Sequence, residues 1–186
     1  MTKTKFVLYG GFNPKEVTPR NFEFSQELLR EAPENARVLV VPFSKEPDRI
    51  TPTRERVSNE LNAAKWQQSI SIEGATEEKF MDQIQNADVI YFQGGSSSKL
   101  LEVLKKYPGL KDALVGKTIG GDSGGGNVLC AFFYSPKTET VTEGLGILPL
   151  KMIPHFKEEY RSAFDALAPE LESVLLPEYT HKVFYQ

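Results

Sequence analysis

Histidine and cysteine are the scarce residues of this 186-residue chain, with two of the first and one of the second. A lone cysteine excludes an internal disulfide framework and any zinc site built on paired cysteines. No apolar run is long enough to span a bilayer. The opening Met1-Thr2-Lys3-Thr4-Lys5 leads into a strand-like segment rather than the hydrophobic stretch of a secretory signal. The expectation is therefore a soluble, cytoplasmic protein. Charged residues make up 25% and the net charge is −3, so no nucleic-acid or anionic-membrane footprint is expected. Internal repeats, low-complexity tracts and linkers are also missing. Residues 1–186 read as a single domain, large enough to bury a core without metal or disulfide staples.

What is present is a regular alternation. Phe6-Val7-Leu8-Tyr9, Arg37 to Pro42, Ser69 to Ile72, Asp88 to Phe92 and the run entering Thr118-Ile119 read as strands. Helical spacing occupies Asn21 to Arg30, Thr53 to Trp66, the stretch from Thr76, and the segment carrying Leu100, Leu101, Val103 and Leu104. Val57, Leu61, Ala64 and Trp66 are its expected inward positions in the second helix. Pro108-Gly109 ends the fourth helix, and a shorter one follows. Alternation at this pace implies βαβ units and a mainly parallel sheet covered on both faces. Ligands of such sheets gather beyond the carboxyl ends of the strands, where Gly10-Gly11, Gly94-Gly95 and Gly121 all fall.

Thr118 to Leu129 holds the most informative pattern. An apolar run ends in Gly120-Gly121-Asp122-Ser123-Gly124-Gly125-Gly126, and a helix-compatible segment continues through Cys130 to Phe133. Gly121-x-Ser123-x-Gly125 is the spacing of a nucleophile elbow, where a strand turns sharply into a helix with serine at the apex. The stretch lacks the Gly-Lys-Ser/Thr ending of a P-loop and the full dinucleotide fingerprint. Gly-Asp-Ser-Gly-Gly also surrounds the nucleophile of chymotrypsin-like proteases, but those carry their histidine upstream, and here both histidines follow the serine.

His155, at the end of an apolar segment and just past Pro154, is the imidazole expected beside Ser123. His181 reads as a surface residue. The acid that orients the imidazole is sought between serine and histidine, where Glu139 and Glu143 both qualify and Glu143 is favoured. The Gly124 N–H supplies one oxyanion donor, and Gly95 or Gly94 the other. Ser97 or Ser98 is the expected cap of the helix that follows Gly95. Cys130 reads as a buried core thiol. Arg54, Arg56 and Arg161 can bind a carboxylate, though solvated helix faces are their ordinary place. Beyond the histidine, Thr138 to Thr142 alternates like a strand, Tyr160 to Leu167 is helical, and Ser173 to Leu176 is strand-like.

Three stretches in order resemble the peptidase E family, the S51 serine peptidases that include aspartyl dipeptidase and cyanophycinase. They are Tyr91-Phe92-Gln93-Gly94-Gly95 with Lys99-Leu100-Leu101, Gly121 to Asn127, and Gly144-Leu145-Gly146-Ile147-Leu148-Pro149 running to Pro154-His155-Phe156. The resemblance implies a class I glutamine amidotransferase-like (flavodoxin-like) three-layer α/β sandwich. It also implies Ser123 as nucleophile, His155 as base and Gly95 with Gly124 as oxyanion donors. A metal-independent peptidase without cofactor follows, acting on a small peptide, Asp-X dipeptides among the candidates, as a monomer or homodimer. The alternative is a catalytically silent relative binding a small anion at the sheet edge. The chain departs from the family's pattern at Gly124, where alanine is usual, and at Ser96, where a third glycine is common. It also has a short region after His155, in which the terminal strands of longer members are expected to be missing.

Overall fold

The computed structural model describes residues 3–13, 21–165 and 167–186. Its centre is a six-stranded sheet. The strands are β1 (Lys5–Tyr9), β2 (Asn35–Val41), β3 (Ser69–Gly74), β4 (Val89–Phe92), β5 (Thr118–Asp122) and β10 (His181–Tyr185). Their order is β10-β1-β5-β4-β2-β3. The first five are mutually parallel, and β10 runs antiparallel along the outer edge of β1, with His181 opposite Tyr9.

The alternation of side chains along each strand builds two cores. Val7, Tyr9, Val38, Val40, Val89 and Tyr91 point to one face, under α1 (Asn21–Leu29) and α2 (Pro47–Ala64). There the Phe24 ring stacks on Tyr9, with centroids 4.7 Å apart, and meets Tyr91 edge-on at 5.4 Å. Truncating such a buried ring to alanine is expected to cost about 3–5 kcal/mol.

Phe6, Leu8, Leu39, Val41, Ile90 and Phe92 point to the other face. It is covered by α3 (Phe80–Asn86), α4 (Ser97–Leu104), α5 (Leu110–Ala113) and α6 (Gly124–Leu129). A second, four-stranded sheet completes that layer, in the order β7-β6-β8-β9. It comprises β6 (Cys130–Ser135), β7 (Thr140–Glu143), β8 (Leu148–Pro154) and β9 (Glu172–Leu176). The result is the expected three-layer α/β arrangement, with an added small sheet on one side.

Several expectations are corrected. Cys130 to Phe133 is not helical: α6 stops at Leu129, and the run Cys-Ala-Phe-Phe-Tyr-Ser enters β6, as its aromatic content favours. Trp66 is 59% exposed because α2 ends at Ala64 and Lys65 is already extended. That helix also starts earlier than Thr53, with Pro47 in its first turn, where a missing N–H is tolerated. The cap of α4 is Ser96, whose hydroxyl accepts from the Lys99 N–H, rather than Ser97 or Ser98. A 3-10 segment, Glu158–Phe164, stands where a helix was expected to Leu167 (residue 166 lies outside the described residues). The terminal strands are not missing either. Both β9 and β10 are present, and β10 closes the edge of the main sheet. Among the described residues, no helix is long and apolar enough to cross a membrane.

Candidate active site

The strand ends of β1 and β5 and the end of β8 meet at one point, and three backbone hydrogen bonds fix how. The Ser123 N–H donates to the Tyr9 carbonyl at 2.9 Å, and the His155 N–H donates to the next carbonyl, Gly10, at 2.8 Å. The Tyr179 N–H donates to Gly11 at 2.8 Å, which lays the β9–β10 turn over the same strand end. Ser123 has φ 45° and ψ −111°, a conformation few non-glycine residues adopt, between the last residue of β5 and the first of α6. His155 shares the positive φ, at 48°. Two neighbouring residues held in unfavourable backbone wells mark a place that the surrounding hydrogen bonds over-determine.

The side chains meet accordingly. His155 Nε2 lies 3.0 Å from Ser123 Oγ, and Nδ1 lies 2.9 Å from Glu178 Oε1. The imidazole and the Glu178 side chain keep 33% and 40% of their surface exposed, so the group opens to solvent and to a substrate. Gly11, at φ +92°, is required by this packing. A Cβ there would sit 2.5 Å from His155 Nε2 and 3.2 Å from the Ser123 Cβ.

The carboxylate on the imidazole is Glu178, so the expectation of Glu143 or Glu139 is corrected. Glu143 is exposed at the end of β7, the edge strand of the small sheet, and pairs across to Phe132. Glu139 lies in the turn before β7, at φ 52°, with its N–H on the Ser135 carbonyl. Glu178 follows both serine and histidine in the chain, outside the interval in which the acid was expected. The signal available was its turn, Pro177-Glu178-Tyr179-Thr180, pinned by the Thr180 hydroxyl on the Pro177 carbonyl at 2.7 Å.

Gly95 and Gly124 come together across the cleft. A Cβ on Gly124 would lie 2.6 Å from the Gly95 carbonyl oxygen and 3.1 Å from its nitrogen. Gly94 is corrected as a donor candidate, because its N–H is already given to the buried carboxylate of Asp122. Burial holds the Asp122 carboxyl above its ordinary range, while Lys45, Arg56, the Gly94 N–H and the Tyr91 hydroxyl pull it back. The Lys45 ammonium is pushed down, mainly by burial, with Asp122 opposing. Arg56 bonds Glu60 at 2.6 Å and lies 4.8 Å over the Phe12 ring, and Arg161 is paired with Glu158. His181 is the half-buried first residue of β10, opposite Tyr9. Cys130 is fully buried, and burial pushes its thiol up. Among the described residues, no group of three or more His, Cys, Asp or Glu side chains is placed to hold a metal ion.

The sequence matches the model of peptidase family S51 over residues 8–173. The chain belongs to peptidase family S51. It is thereby a serine-type peptidase. Two solved structures share the fold of this S51 chain. One is a candidate peptidase E protein from Listeria monocytogenes EGD-e, with TM-score 0.66, 16% identity, and coverage of 99% of this chain and 98% of that one. The other is a peptidase from an acI-B1 actinobacterium, with TM-score 0.67, 21% identity, and coverage of 97% and 82%. At these identities the likeness speaks for the S51 fold alone. No curated protein matches the chain.

Proposed function

We propose that this S51 peptidase cleaves short peptides by acyl transfer through Ser123. The reading is carried by one observation, the hydrogen-bonded series Ser123 Oγ, His155 and Glu178, with 3.0 Å and 2.9 Å contacts on the two ring nitrogens. Glu178 keeps the proton of His155 on Nδ1, which leaves Nε2 as the acceptor facing serine. As Oγ attacks the peptide carbonyl carbon, its proton passes to Nε2 and the carbonyl oxygen becomes an oxyanion. The N–H groups of Gly95 and Gly124 are the donors proposed for that oxygen. The imidazolium then protonates the departing amine as the C–N bond breaks, leaving an ester on Ser123. Water, deprotonated by the same nitrogen, hydrolyses the ester and returns the serine proton.

The substrate proposed is a dipeptide with an acidic first residue. What supports it is that Lys45 and Arg56, the latter also paired with Glu60, lie near enough to act on the carboxyl of Asp122, the residue directly before Ser123. The cytoplasm is the proposed compartment, in keeping with a single buried, unpaired cysteine.

A fluorophosphonate probe and a panel of dipeptides differing in the first residue, Asp against Ala, Leu and Lys, test the two levels separately. Labelling of wild type and not of Ser123→Ala is expected, with Asp-X cleaved fastest. A folded wild type that takes no label would leave the molecule a binder of small anions, and equal rates across the panel would remove the acidic preference.

A further inference from the structure

We propose that Ser44 and Asp122 are positioning residues that clamp two successive peptide units, so that Gly95, and not Gly94, presents its N–H to the reacting carbonyl. The inference rests on Ser123 being the nucleophile and deepens that reading.

A trans peptide unit is planar, so its C=O and N–H point in opposite directions and fixing one end fixes the other. In the Gln93–Gly94 unit both ends are held. The Gln93 carbonyl accepts from Ser44 Oγ at 2.8 Å, and the Gly94 N–H donates to Asp122 Oδ1. In the next unit the Gly94 carbonyl accepts from the same hydroxyl at 2.9 Å, so one proton is shared between two carbonyls. The Gly95 N–H must then face away from Ser44. That is the side of Gly124, where a Cβ would come within 3.1 Å of the Gly95 nitrogen.

The loop needs a clamp because of its composition. Gly94-Gly95 has no side chain to hold a peptide plane, and Gly95 has φ +147°, a region open almost to glycine alone. A flip of the Gly94–Gly95 plane would turn a donor into an acceptor at the spot where negative charge develops. Both clamping groups are buried, Ser44 at 4% and Asp122 at 4% exposure, so water does not compete for their partners. They also approach from different elements. Ser44 follows β2 and takes the Ser96 N–H on its own carbonyl at 3.0 Å, while Asp122 ends β5. Asp122 thus occupies the first amide of the glycine pair with an internal acceptor and leaves the second for the substrate.

The test compares the full-length wild type with Ser44→Ala, Asp122→Ala and Asp122→Asn, each labelled with nitrogen-15. Amide proton shifts of Gly94 and Gly95 are read beside kcat and KM on the best dipeptide. The Gly94 amide should lie downfield in wild type, stay there in Asp122→Asn, which keeps an acceptor, and move upfield in Asp122→Ala. Losing one oxyanion donor costs about 10²–10³ in turnover, so misdirecting it should lower kcat roughly 10–100-fold in Ser44→Ala and Asp122→Ala. KM should stay within about threefold, since the donor acts on the transition state, and Asp122→Asn should recover most of the loss.

A Gly94 shift indifferent to Asp122→Ala, or wild-type kcat in folded Ser44→Ala and Asp122→Ala, overturns the proposal. Should Asp122→Ala not fold, Ser44→Ala decides by the same two readouts. If the amides respond as expected in a wild type that cleaves no peptide, the clamp stands and the role given to Ser123 falls.

Discussion

Ser123 and His155 hang from consecutive carbonyls of one strand end, Tyr9 and Gly10, through backbone hydrogen bonds of 2.9 Å and 2.8 Å. The distance between hydroxyl and imidazole is thus set by β1, a strand that contributes neither side chain. This is why residues 32 positions apart meet at 3.0 Å. It is also why backbone crowding at that strand end should be felt in turnover.

Gly11→Ala tests this directly. The added methyl would stand 2.5 Å from His155 Nε2, at φ +92°, so the imidazole must move. A 1 Å displacement at a reacting group can cost about 10²-fold in rate, and the strained backbone roughly 1–3 kcal/mol of stability. Steady-state kinetics beside thermal unfolding should show a large fall in kcat in a protein that still unfolds cooperatively. Wild-type kcat in the variant would mean that the imidazole is not where the reaction needs it.

Glu178→Gln should lower kcat by roughly 10²-fold or more, because an amide no longer favours the tautomer with its proton on Nδ1. Glu143→Gln and Glu139→Gln should leave it unchanged, since neither carboxylate reaches the ring. The three variants assayed side by side separate a group that orients the imidazole from two surface carboxylates. A loss in Glu143→Gln equal to that in Glu178→Gln would contradict the assignment.

Asp122→Asn should change how stability depends on pH. The carboxyl is raised above its ordinary 3.8 in the folded protein, chiefly by burial, so the native state keeps a proton that the unfolded chain has already released. Below 3.8 this contribution is fully present, and it is lost as pH rises through the window up to the folded-state value. Asparagine does not titrate there. The melting temperature of Asp122→Asn minus that of wild type should therefore increase across that window, and a pH-independent difference would refute the argument.

Cys130 should not react with a thiol reagent in the native protein. Its sulfur is buried, and burial disfavours the thiolate that such reagents need. Titration with a chromogenic disulfide should count no thiol in buffer and one in denaturant. Rapid native labelling with loss of peptidase activity would place the thiol in the cleft.

Much of the fold could be read before any coordinates. Val38, Leu39, Val40 and Val41 are buried to either side of β2, and an uninterrupted apolar run of that length has no other stable place than a covered parallel strand. The glycines around Ser123 were legible for a related reason, because a strand turning at once into a helix leaves no room for side chains. Trp66 and the run after Leu129 depart from expectation, since spacing alone does not say where a helix stops. The added small sheet was invisible as a sheet: β6 and β8 are parallel partners whose register shifts between Cys130 and Phe132, and pairing is a long-range choice.

Local composition fixed the strands, the sharp turn at Ser123 and the presence of His155 after it, since each depends on sterics and burial within a few residues. Only the tertiary structure decided that Glu178 completes the group, that Gly94 is committed to Asp122, and that Ser44 faces the glycine loop. Those are contacts between segments that the sheet order brings together, with β10 returning along β1 and β2 lying beside β4. Strand order is settled by which apolar faces can be covered at once, a property of the whole chain that no single stretch carries.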